Sequence, residues 1–411
     1  MWELVRANQR RAATLVVVMA ALLFAVGYAA GEALRPGAGL GGLLVAFVVW
    51  VVLSLVSFYS GDSIFLSLAG AHKIAKSDNP TLYNVVEEMC IASGISRVPD
   101  IYVIDDAAPN AFATGRDPQH ASVAVTAGLL ETLNREELQG VVAHELGHVA
   151  NRDVLYMMMV GVMLGAIVLL ADVGTRVMFY GGGRRRTSSR EGGQGQAVIL
   201  VLAVVLMILA PLIAQLVYLA VSRRREYLAD ACSALYTRYP EGLASALEKI
   251  SHSTAQLASA SRATAPLYIV NPLGASAKGL ADLSSTHPPT SERIRILRSM
   301  GGGAGYRQYD EAFRKVTGRP VGVVPASSLQ QAAHAPVAAP AAPDASARFD
   351  RVRQTTDMLW RLNRYAFIAC ACGTTLKVPP AYVGREIACP HCGAKHVVPA
   401  ATAAPPRAAA S

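Results

Sequence analysis

His144-Glu145-Leu146-Gly147-His148 puts two imidazoles four residues apart, on one face of any helix that carries them, with a carboxylate just after the first. Two neutral imidazoles are half of a catalytic zinc site. A third protein ligand completes the set, and the open position takes a water whose pKa the metal lowers to about 7. In such a site Glu145 is the general base. Asn134-Arg135-Glu136-Glu137 offers an N-cap and an acidic first turn, and Leu138, Val141, Val142 and Leu146 follow at helical spacing. The segment therefore predicts a helix running through His148. A surface helix with two solvated histidines would not be this apolar between Leu138 and Val149.

The third ligand must come from elsewhere in the chain. Glu226 and Asp230 stand four apart on one prospective helix face, directly after Arg223-Arg224-Arg225. Glu226 is the better ligand candidate. Asp230, one turn on, is placed to accept a hydrogen bond from the other ring nitrogen of a ligating histidine, which would orient it and raise its basicity. The competing reading is that both acids neutralise the arginine cluster.

These residues need elements to hold them, and the composition says where those elements lie. Of 411 residues, 52% are hydrophobic and 16% charged, which is too apolar for an ordinary soluble protein. Charge-free apolar runs at about 12–31, 36–61, 154–171 and 197–222 are each long enough, or nearly so, to cross about 30 Å of hydrocarbon. Four spans are expected, the first an uncleaved anchor rather than a signal peptide. Arg6, Arg10 and Arg11 before it, against Arg35 after it, put the N-terminus in the cytoplasm. The segment with the histidine pair and the chain after the fourth run then share the cytoplasmic side. Arg176, Arg184, Arg185, Arg186 and Arg190 oppose this, so either their loop is an exception or the last two apolar helices do not fully span. His148 lies five residues before Asp153 and Glu226 four after Ser222, so with continuous helices both sit within roughly 10 Å of the membrane boundary. Substrates would then be membrane proteins or exposed segments near the bilayer.

A net charge of +9 comes largely from arginines beside the apolar runs, which points to anionic lipid rather than nucleic acid. Residues 79–93 carry a helical pattern, while Pro99–Ile104 and Ala121–Thr126 read as strands of a small α+β unit. Ala121–Thr126, just ahead of the metal helix, is either an exposed edge to which substrate adds as a strand or an internal strand. Glu226–Tyr236, Gly242–Ser251 and Ser291–Met300 look helical, the last introduced by Thr286-His287-Pro288-Pro289-Thr290.

In combination these motifs resemble the HtpX family of membrane-embedded zinc endopeptidases from about Gly61 to Leu297. The resemblance rests on Asn110-Ala-Phe-Ala-Thr-Gly115, the strand through Val125-Thr126, His144–His148 with Asn151-Arg152-Asp153, Glu226–Asp230, and His287-Pro288-Pro289 with Arg293, in that order. It implies a gluzincin fold with His144, His148 and Glu226 as zinc ligands and Glu145 as base. It also implies membrane-protein quality control on the cytoplasmic face of a bacterial inner membrane. A second donor to the carbonyl oxygen is desirable. With the resemblance, His287 or Asn110 on the substrate-side loop fills that role, and Arg293 braces Glu226 or Asp230. The alternatives are that His287 merely opens a helix ahead of two prolines and that Arg293 is an exposed helix cation. The arginine-rich loop and everything after about Pro325 depart from the family pattern.

Six cysteines do not suggest a disulfide framework: Cys90 and Cys232 stand alone, and Cys370-Ala-Cys372 with Cys389-Pro-His-Cys392 has the two-knuckle layout of a zinc ribbon. Four thiolates imply a closed, structural zinc, with His391 and His396 as surface residues. The expected fold class is α+β: a mainly helical integral membrane protein with a gluzincin-type metalloprotease domain, a small β-sheet and a small zinc ribbon. Its expected parts are a two-helix anchor over 1–61, a protease domain over 62–325 interrupted by apolar helices at about 154–171 and 197–222, and an Ala/Pro-rich linker over 326–348. An amphipathic helix with the ribbon follows over 349–399, then a disordered tail over 400–411.

The leading expectation is a zinc endopeptidase, with one catalytic and one structural Zn²⁺, that cleaves membrane or unfolded proteins, sits in a bilayer and carries a ribbon that recruits a protein. Two other functions compete with it. One is processing of lipidated C-terminal cysteine peptides, which usually comes with more than four spans; the other is an inactive scaffold, against which an intact Glu145 argues.

Overall fold

The computed structural model describes residues 2–35, 37–180, 205, 209–210, 212–213, 223–255, 257, 267–270, 288–326, 328–330 and 345–399. The chain divides into two compact units, Met1–Ile74 with Thr81–Ala341, and Ala75–Pro80 with Ala342–Ser411.

In the first unit, α1 (Trp2–Leu34) and α2 (Gly39–Leu68) form an antiparallel pair with α6 (Val154–Tyr180) against them. Met19, Leu23 and Val26 of α1, Ala46 of α2, and Met163 and Ile167 of α6 make their shared core. Glycine permits the α1–α2 crossing: a Cβ on Gly42 would lie 2.1 Å from the Gly27 carbonyl oxygen. Outward, Leu40, Leu44, Val48 and Val52 of α2 are half or more exposed, an apolar surface of the kind that faces lipid.

Four spans were expected; among the described residues one helix, α2, is long and apolar enough to cross a membrane. Within the other two helices the apolar portions among the described residues are Val16–Glu32 and Met157–Asp172. The fourth run lies outside the described residues apart from five positions.

A four-stranded sheet follows, ordered β1 (Ala71–Lys73), β2 (Asp100–Ile104), β4 (Ala121–Thr126), β3 (Ala111–Gly115). β2 and β4 are parallel, and the outer pairs are antiparallel. Helix α3 (Pro80–Ser93) buries Leu82, Val85, Val86, Met89 and Cys90, the apolar stripe the sequence predicts. The sheet decides between the two readings of Ala121–Thr126: β4 is internal, paired on both sides, and the edges are β1 and β3. Ala-Phe-Ala-Thr-Gly lacks the apolar–polar alternation of an edge strand because both its faces are covered, and all five residues are buried.

Thr126 caps the short helix α4 (Ala127–Thr132), its hydroxyl accepting from the Leu129 amide at 3.2 Å. Helix α5 (Arg135–Ala150) then opens on a reciprocal capping box between Asn134 and Glu137. Glu137 also accepts from Ser245 at 2.6 Å and Lys249 at 2.8 Å, both on α8 (Pro240–His252). Beyond α6, helix α7 is described over 223–237. Helix α9 (Thr290–Arg298) packs on α8, and α10 (Tyr306–Thr317), not anticipated from sequence, packs on α9.

In the second unit, α11 (Ala345–Leu362) precedes two hairpins, β5 (Ala366–Ala369) with β6 (Thr375–Val378) and β7 (Glu386–Ala388) with β8 (Lys395–Val397). Each hairpin turn holds two of the clustered cysteines, and glycine at positive φ closes each turn, Gly373 at 85° and Gly393 at 73°. Linker residues 331–344 and the tail 400–411 lie outside the described residues.

Candidate metal centre

Helix α5 buries His144 and Glu145 almost completely. Helix α7 crosses it at Gly147, where a Cβ would lie 2.9 Å from Cys232 Cβ and 3.4 Å from Ala229 Cα. That contact carries Glu226 to the histidine pair. Its Oε1 lies 3.4 Å from His148 Nε2 and its Oε2 lies 3.6 Å from His144 Nε2. One ligand atom from each of the three residues falls within 4.8 Å of the others, so the group can hold a metal ion. Tetrahedral zinc with bonds of about 2.0–2.1 Å separates its ligands by about 3.3–3.4 Å, close to the contacts found here. Two imidazoles and a carboxylate are also the donor chemistry zinc takes.

Each imidazole is held from behind by a carboxylate. Asp230 Oδ1 lies 3.0 Å from His144 Nδ1, and Asp153 Oδ1 lies 3.2 Å from His148 Nδ1. In both rings Nδ1 is engaged and Nε2 is left toward Glu226. The continuous helix expected between His148 and the apolar run does not form. Helix α5 stops at Ala150, Arg152 takes a left-handed φ of 55°, and the chain restarts at Val154. The break is what folds Asp153 back onto His148, and the buried Arg225 holds it there by donating to the Asp153 carbonyl at 3.2 Å. In the sequence Asp153 stands out only as part of a motif and as the charged edge of the apolar run, since its contact with His148 depends on the left-handed turn.

Arg293 is fully buried rather than an exposed helix cation. It donates to both oxygens of Asp230, at 2.9 and 2.6 Å, and to the Ile269 carbonyl at 3.0 Å, with Nη1 3.6 Å from Glu226 Oε2. Both bracing contacts left open by the sequence are thus present. Asn110 Nδ2 donates to the Val270 carbonyl at 2.9 Å, and its Oδ1 accepts from the Ala111 amide at 3.1 Å. Its amide is therefore spent on the backbone beside β3, where the Ile269 amide also donates to the Ala111 carbonyl at 2.9 Å. His287 lies outside the described residues.

Electrostatics follow from this burial. Desolvation pushes the Glu145 carboxyl above its ordinary range, against the opposing influence of His144, His148 and the Ala113 amide that donates to it. For His144, burial favours the neutral ring, but the Asp230 and Glu226 carboxylates outweigh it and the pKa rises. His148 behaves likewise through Asp153 and Glu226. Burial would raise Asp230, but the Arg293 guanidinium holds it below the usual carboxylate range.

The cysteines of the second unit form a separate cluster, with Cys370 and Cys392 sulfurs 3.4 Å apart and those of Cys372 and Cys389 3.8 Å apart. All four fall within 4.8 Å of one another. Zn–S bonds of about 2.3 Å give tetrahedral edges of about 3.8 Å, so the cage is of the right size. His391 is exposed as expected, whereas His396 is not a free surface residue: its Nε2 lies 3.2 Å from Cys370 Sγ.

The profile of peptidase family M48 matches residues 76–301. The chain is 45% identical over 300 residues to the protease HtpX homolog of Dictyoglomus thermophilum, covering 73% of this chain and 95% of that one. It is 40% identical over 300 residues to the protease HtpX homolog of Streptococcus gordonii, covering 73% of this chain and all of the other. A solved structure, Ste24p of S. mikatae, superposes with a TM-score of 0.41 at 18% identity over 72% of this chain and 67% of that one, too loosely to carry an argument. Family profile and relatives agree: the chain belongs to peptidase family M48, and it is an HtpX-like metalloprotease.

Proposed function

We propose that the chain is a zinc-dependent endopeptidase of the gluzincin type, held in a bacterial inner membrane by several helices, that cleaves membrane or misfolded proteins beside the cytoplasmic face. The single observation that carries the catalytic part is the convergence of His144 Nε2, His148 Nε2 and the Glu226 carboxylate. The membrane part is supported by the exposed apolar face of α2, and the cytoplasmic orientation by Arg6, Arg10 and Arg11 near the N-terminus.

In this reading His144, His148 and Glu226 hold the ion, which supplies a Lewis acid and makes a water acidic near neutral pH. Asp230 and Asp153 fix the tautomer and direction of the two rings. Arg293 neutralises Asp230 and Glu226 in a site with little solvent. Glu145 takes a proton from the attacking water and returns one to the leaving amine; its raised pKa suits both halves of that transfer. The edge strand β3 receives the substrate backbone beside Glu145, since the Ala113 amide already points at that carboxylate. Asn110 acts as a tether for Val270 rather than as a donor to the substrate. The four cysteines hold a second, structural zinc, and the ribbon recruits a protein partner.

The test compares wild type with Glu145→Gln in detergent, on an unfolded membrane protein, with zinc content measured in both. Cleavage by wild type alone at equal zinc content supports the mechanism; equal cleavage by both removes Glu145 from it.

A further inference from the structure

A cavity of about 530 Å³ opens between α7, α10 and the loop behind α10, and among the described residues no carboxylate lines it. Arg223, Arg224 and Tyr227 face it from α7, Phe313 from α10, and Arg319 and Val321 from the loop. Gly318, at a φ of 67°, ends α10 and reverses the chain, so that the Arg319 guanidinium returns to within 5.9 Å of the Phe313 ring centre. Tyr227 meets Phe313 edge to face at 4.9 Å. Arg224 ties α7 to the loop by donating to the Gly322 and Val323 carbonyls, each at 3.4 Å. Nearby acids are engaged elsewhere: Glu292 with the Tyr227 hydroxyl, and Asp310 with Arg314 at 2.6 Å and the Val324 amide at 3.1 Å. The result is a basic rim on an aromatic wall.

We propose that this cavity binds a phosphate group, and that its source is the phosphodiester headgroup of an anionic membrane lipid. Guanidinium forks match phosphate oxygens in pairs, and three of them around one cavity favour a doubly bonded anion over a single carboxylate. The volume is that of a small-molecule site, far more than a lone anion fills, and the exposed Val321, backed by the buried Tyr227–Phe313 pair, offers apolar surface to the rest of a headgroup. Arg223 follows the apolar run ending at Ser222, which places the rim at the headgroup layer, where anionic phosphate is concentrated. The lipid source rests on the membrane reading above; the phosphate site does not.

The full chain in non-ionic detergent is titrated with glycerophosphoglycerol and with inorganic phosphate by calorimetry. Phosphatidylglycerol retained from mixed micelles is counted by native mass spectrometry against phosphatidylcholine. Variants are Arg319→Ala, Arg223→Ala and, as an equal-charge control, Arg97→Ala, an exposed residue remote in sequence from the cavity. The expected result is preferential retention of phosphatidylglycerol, with affinity for its headgroup falling about tenfold or more in Arg319→Ala and Arg223→Ala but not in Arg97→Ala, at matched melting temperatures. Inorganic phosphate binding as tightly as glycerophosphoglycerol, without lipid preference, removes the lipid and assigns the site to free phosphate. Equal binding by all variants overturns the site altogether, whether or not the protein is embedded in a membrane.

Discussion

Asp153 folds back on His148, its Oδ1 3.2 Å from the ring's Nδ1, across a left-handed turn at Arg152 that ends the metal helix. Turning that ring's Nε2 toward Glu226 is the consequence. Asp153→Ala is therefore expected to lower zinc affinity about 10–100-fold, as loss of a carboxylate behind a ligating histidine does elsewhere. Competition with a chromogenic chelator measures this. Unchanged affinity would make Asp153 merely a helix-end residue.

Gly147 sits between the two histidine-bearing turns and against α7, with 2.9 Å between a virtual Cβ and Cys232 Cβ. Gly147→Ala should cost about 1–3 kcal/mol through overpacking and separate Glu226 from the pair, so zinc affinity and melting temperature fall together. Thermal denaturation with and without zinc tests it. A variant as stable as wild type in both conditions would show that the helices have room.

Asn110 gives a sharper contrast between two roles. As a tether to Val270, its replacement in Asn110→Ala should cost about 1–3 kcal/mol of stability and leave kcat of the folded fraction within about tenfold. Loss of an oxyanion donor would instead cost about 10²–10³ in kcat. Steady-state kinetics beside a melting curve separate them, and a large kcat loss at unchanged stability would return Asn110 to the chemistry.

Zinc counting distinguishes the two metal clusters. Wild type is expected to bind about two zinc ions per chain, and Cys392→Ser or His148→Ala about one. The cysteine variant keeps its hydrolytic activity and the histidine variant loses it. A wild-type ratio of about one, unchanged in Cys392→Ser, would leave the ribbon without metal.

The site was more legible in the sequence than the frame around it. His144, Glu145 and His148 announce themselves because a four-residue spacing on a capped, apolar helix has few other uses. Glu226 and Asp230 followed from the same spacing rule. Asp153 did not, because its approach depends on one positive φ at Arg152, which no periodicity records. β3 was hidden for a related reason: covered on both faces, Ala111–Gly115 shows no alternation, and Thr114 is its one branched residue. The internal place of β4 then followed from a strand that had not been seen. His396 reads as a surface group in the sequence, and only the packing of one hairpin on the other sets it against Cys370. Of the four runs that hydropathy marks, α2 has the length and composition to cross a membrane among the described residues.

The most direct measurement is anomalous diffraction at the zinc absorption edge from crystals of the full chain. The expected result is a peak about 2.0–2.2 Å from His144 Nε2, His148 Nε2 and a Glu226 oxygen, and a second among the four cysteine sulfurs. Density at the cysteines with none between the histidines and Glu226, in crystals grown with excess zinc, would contradict it.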